Sequence, residues 1–181
     1  MQLTSLARRR FLFGACASFV SAPFYGAMAA ARAKGVRSLS LNILHSGEKA
    51  SVDYWVDGEY LPDALRQLNY LLRDFRDGEV HVIDPSLLDL LVSLRNRLET
   101  VAPFDVICGY RSPATNAILR AEYTGVAAKS LHMKGMAADI CVAGRSLKQL
   151  HAAAVALRGG GVGYYPEEDF VHVDVGRVRY W

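Results

Sequence analysis

The chain has 181 residues, of which 51% are hydrophobic and 22% charged, with a formal charge of +3. The length suits one compact domain with an appendage. The composition excludes a disordered chain, a collagen and a multi-pass membrane protein. The positive charge points to an anionic partner only if the basic residues belong to the folded part.

Taken in chain order, the first 33 residues read as a leader. Arg8-Arg9-Arg10-Phe11-Leu12 opens an uncharged run, Phe11 to Ala31, rich in Ala, Gly and Ser. Ala29-Ala30-Ala31 and Ala31-Arg32-Ala33 both fit a small-x-small cleavage site. The arginine pair followed by Phe-Leu resembles the twin-arginine export motif, with Ala7 in place of the usual Ser/Thr. An uncleaved anchor is the alternative, but Pro23, the glycines and the alanines make a poor spanning helix. The expected division is a twin-arginine-type signal peptide over 1–33 and one folded domain over 34–181. Four of the 21 basic residues and no acid fall in the leader, leaving 17 bases against 18 acids. The basic excess therefore belongs to the leader, and nothing in the remainder argues for nucleic acid or for a membrane span. The oligomeric state is not legible.

In the remainder, Val36 to Leu44 and Ser51 to Val56 alternate apolar and polar residues, which predicts a β-hairpin. Leu61, Leu65, Leu68, Leu72 and Phe75 share one face of a helix expected to stop near Gly78. Asp84-Pro85 is a cap-and-start signal for a helix striped by Leu87, Leu88, Leu91, Leu94 and Leu98. Phe104 to Cys108 reads as a strand, followed by a loop at Gly109-Tyr110-Arg111-Ser112 and a short helix to about Glu122. Met136 to Val142 is a further strand, and Ser146 with Gln149 forms a capping box for a helix to about Leu157. Gly159-Gly160-Gly161 reads as a flexible turn before closing strands Val162 to Tyr165 and Phe170 to Val175. The class is α+β: helices mostly early, and a small, mostly antiparallel sheet late. Cys108 and Cys141 permit a disulfide or two free thiols.

The polar residues that resist a structural explanation lie late in the chain. Ser130-Leu131-His132-Met133-Lys134-Gly135-Met136-Ala137-Ala138-Asp139 sets a histidine at a loop end and an aspartate in an apolar strand. Phe170-Val171-His172-Val173-Asp174 puts a histidine and an acid on one face of another strand. If they converge, His132, Asp139 and His172 supply N, O and N donors and leave a position open for water, as in catalytic zinc sites. Burying Asp139 unpaired would cost several kcal/mol in rough terms, so a cation or strong donors are expected beside it.

These motifs resemble the zinc D-alanyl-D-alanine peptidase superfamily, which also includes the hedgehog fold. Within it, residues 36–181 are similar to the exported murein endopeptidase K branch. The matching segments include Leu44-His45-Ser46-Gly47-Glu48, Gly109-Tyr110-Arg111-Ser112, Ser130 to Gly135, Gly159 to Pro166, Phe170 to Asp174, and Tyr180-Trp181. The resemblance implies a zinc peptidase of the periplasm or cell envelope that cuts amide bonds in peptidoglycan crosslinks, with meso-diaminopimelate links as targets. A D-alanyl-D-alanine carboxypeptidase is the nearest alternative, and a non-catalytic wall-binding domain a more distant one. The resemblance also implies Zn2+ as cofactor, His132, Asp139 and His172 as its ligands, and Arg111 as a substrate-recognition residue. Ser130 is a further candidate contact to the substrate or to a ligand. Two carboxylates compete for the general-base role. Asp174 lies two residues after His172 and could instead orient that ligand; Asp169 lies three residues before it.

Overall fold

A computed structural model describes residues 35–181; the leader expected over residues 1–33 lies outside the described residues. Alternation in Val36–Ile43 (β1) and Lys49–Val56 (β2) produces the expected antiparallel hairpin, with Leu41 opposite Ala50. Leu39, Leu41 and Ile43 of β1 are buried, as are Val52 and Tyr54 of β2. Glu59–Tyr60 (β3) adds a two-residue strand outside β2 that the sequence does not announce.

Pro62–Leu71 (α1) ends earlier than the leucine stripe suggests. The Leu72 amide donates to the Leu68 carbonyl and the Arg73 amide to the Tyr70 carbonyl, and Asp74 then takes the amide of Arg76 into a turn. Pro85–Arg97 (α2) begins where Asp84 accepts from the Ser86 amide. Phe104–Cys108 (β4), Pro113–Glu122 (α3) and Ala137–Val142 (β5) follow the expected bounds closely. Leu147–Leu157 (α4) carries the reciprocal Ser146/Gln149 capping box. Gly161–Tyr165 (β6), Phe170–Asp174 (β7) and Arg179–Tyr180 (β8) close the chain. Gly161 thus belongs to a strand, not to the glycine turn.

Among the described residues the strands form one eight-stranded sheet in the order β3-β2-β1-β4-β5-β7-β6-β8. β1 runs parallel to β4 and β6 parallel to β8; the other pairings are antiparallel. The class is α+β with a mostly antiparallel sheet and flanking helices, as expected. The sheet is not confined to the late chain, however: the early hairpin docks onto β4, so both halves share it.

Helix α1 packs on β2, α2 on β1 and α4, and α4 on β5, β6 and β7. Between helices and sheet lies the apolar core, where Leu68, Leu87, Leu88, Leu91, Leu94 and Phe104 are fully buried. Period-two alternation divides the later strands. Ala138, Ile140 and Val142 of β5 join Val171 and Val173 of β7 in that core. Asp139, His172 and Asp174 are buried too, but on the opposite face. Leu91→Ala, which removes a fully buried side chain, is expected to cost about 2–5 kcal/mol, read as a lowered urea midpoint at unchanged slope.

Candidate metal centre

Strand register assembles the centre. Asp139 of β5 pairs with His172 of β7, and His172 pairs with Gly163 of β6. On the other side Cys108 of β4 pairs with Asp139, after a register shift that begins at Val106. That shift is a β-bulge: two steps along β4 match one along β5, and the extra residue re-aims the next side chain. Val106 stays in the helix-facing core, while Cys108 turns to the face of Asp139.

His132 arrives from a single 3-10 turn, Leu131–Lys134, capped by Ser130, whose hydroxyl accepts from the His132 amide. Ser130 thus caps this turn. Gly135 ends the turn in the left-handed region at φ 64°, with its Cα packed so closely on the Val82 backbone that a Cβ would collide. The preceding loop is held by consecutive amides: Tyr110 N to Leu72 O, Arg111 N to His132 O, and Ser112 N to Asp74 Oδ2.

The three expected ligands converge. His132 Nε2 lies 3.2 Å from Asp139 Oδ1 and 3.1 Å from His172 Nδ1, and His172 Nδ1 lies 2.9 Å from Asp139 Oδ1. Donors about 2.0–2.1 Å from a tetrahedral zinc ion stand roughly 3.3 Å apart, so this triangle fits such a cation with little adjustment. Hydrogen bonding supports the fit independently. His132 Nδ1 is 2.7 Å from the Gly109 carbonyl, which can only accept, so Nδ1 carries the proton and Nε2 presents a lone pair. His172 Nε2 is 3.1 Å from Asp174 Oδ2 and its Nδ1 2.9 Å from Asp139 Oδ1; a cation bound at Asp139 would select the opposite tautomer, with the proton on Nε2 and Nδ1 bare. With His172 in that tautomer, two imidazole lone pairs and a carboxylate oxygen face one another inside the protein. Without a cation between them, a proton must take its place.

The acid–base balance reflects this. Burial pushes the His132 pKa down, but the Asp139 charge and the Cys108 thiol outweigh it and hold the ring well above its ordinary value. Burial likewise pushes Asp139 up, and its contacts with His132 and His172 reverse the sign, holding it well below the usual carboxylate range. Cys108 joins this group, since its sulfur and the ligand atoms of His132 and Asp139 all lie within 4.8 Å of one another. Both Cys108 and Cys141 are free thiols.

Arg111 is brought to the centre as expected. Its Nη2 lies 3.7 Å from Asp139 Oδ2 and 3.6 Å from Cys108 Sγ, and its Nη1 lies 3.4 Å from Asn116 Oδ1. Its buried Nε has no hydrogen-bond partner. A buried donor left open costs about 1–3 kcal/mol.

The two carboxylate candidates separate. Asp174 is fully buried, beyond the ring of His172 from the donor triangle. Arg179 forks onto it, Nη2 to Oδ2 at 2.6 Å and Nη1 to Oδ1 at 3.1 Å, and Oδ1 also accepts from the amides of Gly161 and Gly176. Its acceptor capacity is filled by these donors together with His172 Nε2. Asp169 is exposed, in the left-handed region at φ 57°, and lines a cavity of about 280 Å³ with Asp105, Cys141 and Arg145. The other histidines have aromatic neighbours: His45 stacks on Phe75, His81 on Tyr110, and His151 tilts against Tyr164. Sequence reasoning missed Arg179 and Asp74. No spacing rule links Arg179 to Asp174, and Asp74 looks like a solvated turn acid.

Burial pushes Asp174 up, but its bonds with His172 and Arg179 and the amides of Gly161 and Gly176 hold it well below the usual carboxylate range. A depressed folded pKa means stability that is fully present above the unfolded pKa of about 3.9 and is lost as pH falls through the folded value. In metal-free protein, Asp174→Asn is expected to lower stability at pH 7 and to flatten the loss on acidification below about pH 4, measured by urea unfolding. The same variant should weaken zinc binding about 10- to 100-fold, measured by competition with a chromophoric chelator.

The family profile Peptidase_M15_2, described as peptidoglycan L,D-endopeptidase MepK, matches residues 31–181. Peptidoglycan L,D-endopeptidase MepK of Escherichia coli strain K12 is 44% identical over 145 residues, 80% of each chain. The Shigella flexneri protein of that name shows the same values. A Haemophilus influenzae protein named "Probable peptidoglycan L,D-endopeptidase MepK" is 42% identical over 146 residues, 80% of this chain and 78% of its own. The chain belongs to the MepK family of M15 peptidases, the murein endopeptidase branch that its motifs resemble.

Proposed function

We propose that the chain is an exported, zinc-dependent endopeptidase that hydrolyses amide bonds in peptidoglycan crosslinks, with meso-diaminopimelate links as its targets. The observation that carries this reading is the donor triangle of His132, Asp139 and His172, with His132 Nδ1 held by the Gly109 carbonyl and His172 Nε2 by Asp174. The names of the relatives support the substrate class. The double-arginine leader supports export to the periplasm or cell envelope.

His132 Nε2, His172 Nδ1 and Asp139 Oδ1 would hold Zn2+, which when bound lowers the pKa of a water towards ~7 and offsets charge developing on the scissile carbonyl. Asp174, clamped by Arg179, orients His172 and takes no proton itself. Arg111, whose Nη2 lies 3.7 Å from Asp139 Oδ2, would offer its guanidinium Nη groups to a substrate oxygen, either the carbonyl or a neighbouring carboxylate. Proton transfer from water to the leaving amine would fall to Asp169, three residues before His172, where relatives in the superfamily that the motifs resemble carry a catalytic carboxylate.

Purified crosslinked muropeptide dimers test this directly by product mass. The zinc-loaded protein is expected to release monomers, and both chelation and His132→Ala to abolish release. Cleavage that survives both would refute the zinc mechanism; loss of terminal D-alanine from intact dimers would make it a carboxypeptidase. Asp169→Asn is expected to lower kcat by about 10²–10⁴ with zinc content unchanged. An unaltered kcat would remove Asp169 from the reaction.

A further inference from the structure

The row of side chains across the sheet continues past the metal ligands. In register it runs Cys108, Asp139, His172, Gly163, from β4 to β6. At the β4 end stands the Arg111 guanidinium. At the β6 end there is no side chain, and Trp181 and Tyr165 fill the place that Gly163 leaves. A Cβ on Gly163 would stand 2.7 Å from Trp181 Cε2 and 2.7 Å from Tyr165 Cε2. Glycine here is what lets the aromatic rings lie down on the strand beside the ligand.

Those rings are fixed in place. Trp181 pairs with β6 through Tyr164 N to Trp181 O at 3.0 Å and Trp181 N to Val162 O at 3.2 Å. Its indole Nε1 donates to Tyr165 Oη at 2.7 Å, and Tyr165 stacks on Phe170 at 4.6 Å between centroids. Arg179, while holding Asp174, lies 5.0 Å from the indole centroid. The indole is 5.3 Å from the His172 ring. Yet Trp181 remains 49% exposed. A large apolar ring pinned on several sides and left half open beside a metal ligand is a preorganised contact surface, because little conformational freedom remains to be lost on binding.

We propose that Trp181, supported by Tyr165, is a specificity-determining wall of the cleft that takes the aliphatic stem of a peptide side chain next to the scissile bond. A peptide amide that reaches the donor triangle lies between this wall and Arg111. The two sides therefore read different chemistry: methylenes against the indole, oxygens against the guanidinium. The inference rests on the endopeptidase reading above.

The test uses the full chain as zinc holoenzyme, with crosslinked muropeptide dimers as substrate. Trp181→Ala is expected to raise KM about tenfold, with kcat at saturation and zinc affinity within about twofold of wild type; Trp181→Phe should recover most of the loss. In a Trp55→Phe background, metal-free protein should show quenching of Trp181 fluorescence on titration with the intact dimer. An unchanged KM in Trp181→Ala, a loss of zinc affinity equal to the loss of activity, or fluorescence indifferent to the dimer would each overturn the wall. Failure of the wild type to cleave the dimer would instead overturn the endopeptidase reading.

Discussion

Three electron-pair donors pointed at one place impose the constraint on which the rest of the structure depends. His132 Nε2, His172 Nδ1 and Asp139 Oδ1 stand 2.9–3.2 Å apart on the buried face opposite the apolar core. Lone pairs at that spacing repel unless a cation or a proton lies among them, and burial magnifies the penalty. The surroundings hold them there all the same. The Gly109 carbonyl turns one ring, Asp174 turns the other, and Arg179 with two backbone amides immobilises Asp174. Ligands fixed through outer partners bind metal more tightly and in one geometry.

The same support explains an unusual load of buried charge. Asp139, Asp174 and His132 are almost wholly buried, and Arg111 is largely so. Each is matched to a named partner except for one nitrogen of Arg111. A folded domain accepts such groups where rigid strands hold them on the face away from its apolar core. Here β5 and β7 serve both purposes at once, because their alternate residues bury Ala138, Ile140, Val171 and Val173 under the helices.

Much of this was legible in the sequence, for physical reasons. Period-two alternation marked the hairpin, and Asp84-Pro85 and Ser146 with Gln149 marked helix starts, because capping is local chemistry. That Asp139 would have polar company was legible because an aspartate in an apolar strand needs a partner. Non-local features were not legible. The docking of β1 onto β4 depends on pairing Leu41 with Phe104, far along the chain, and the turn after α1 on Asp74, which also accepts from the Ser112 amide. The bulge that carries Cys108 to the centre is a property of two paired strands, not of either alone. The fold of Arg179 back onto Asp174 was likewise not legible, since no spacing rule links the two.

The central claim is that the two imidazoles are held in opposite tautomers so that both offer bare nitrogens to one cation. Long-range 1H–15N correlation of the histidine side chains in zinc-loaded protein measures this directly. The account predicts that His132 keeps its proton on Nδ1 and binds through Nε2, while His172 keeps its proton on Nε2 and binds through Nδ1. The same tautomer in both rings, or ring nitrogens that do not respond to zinc, would contradict it.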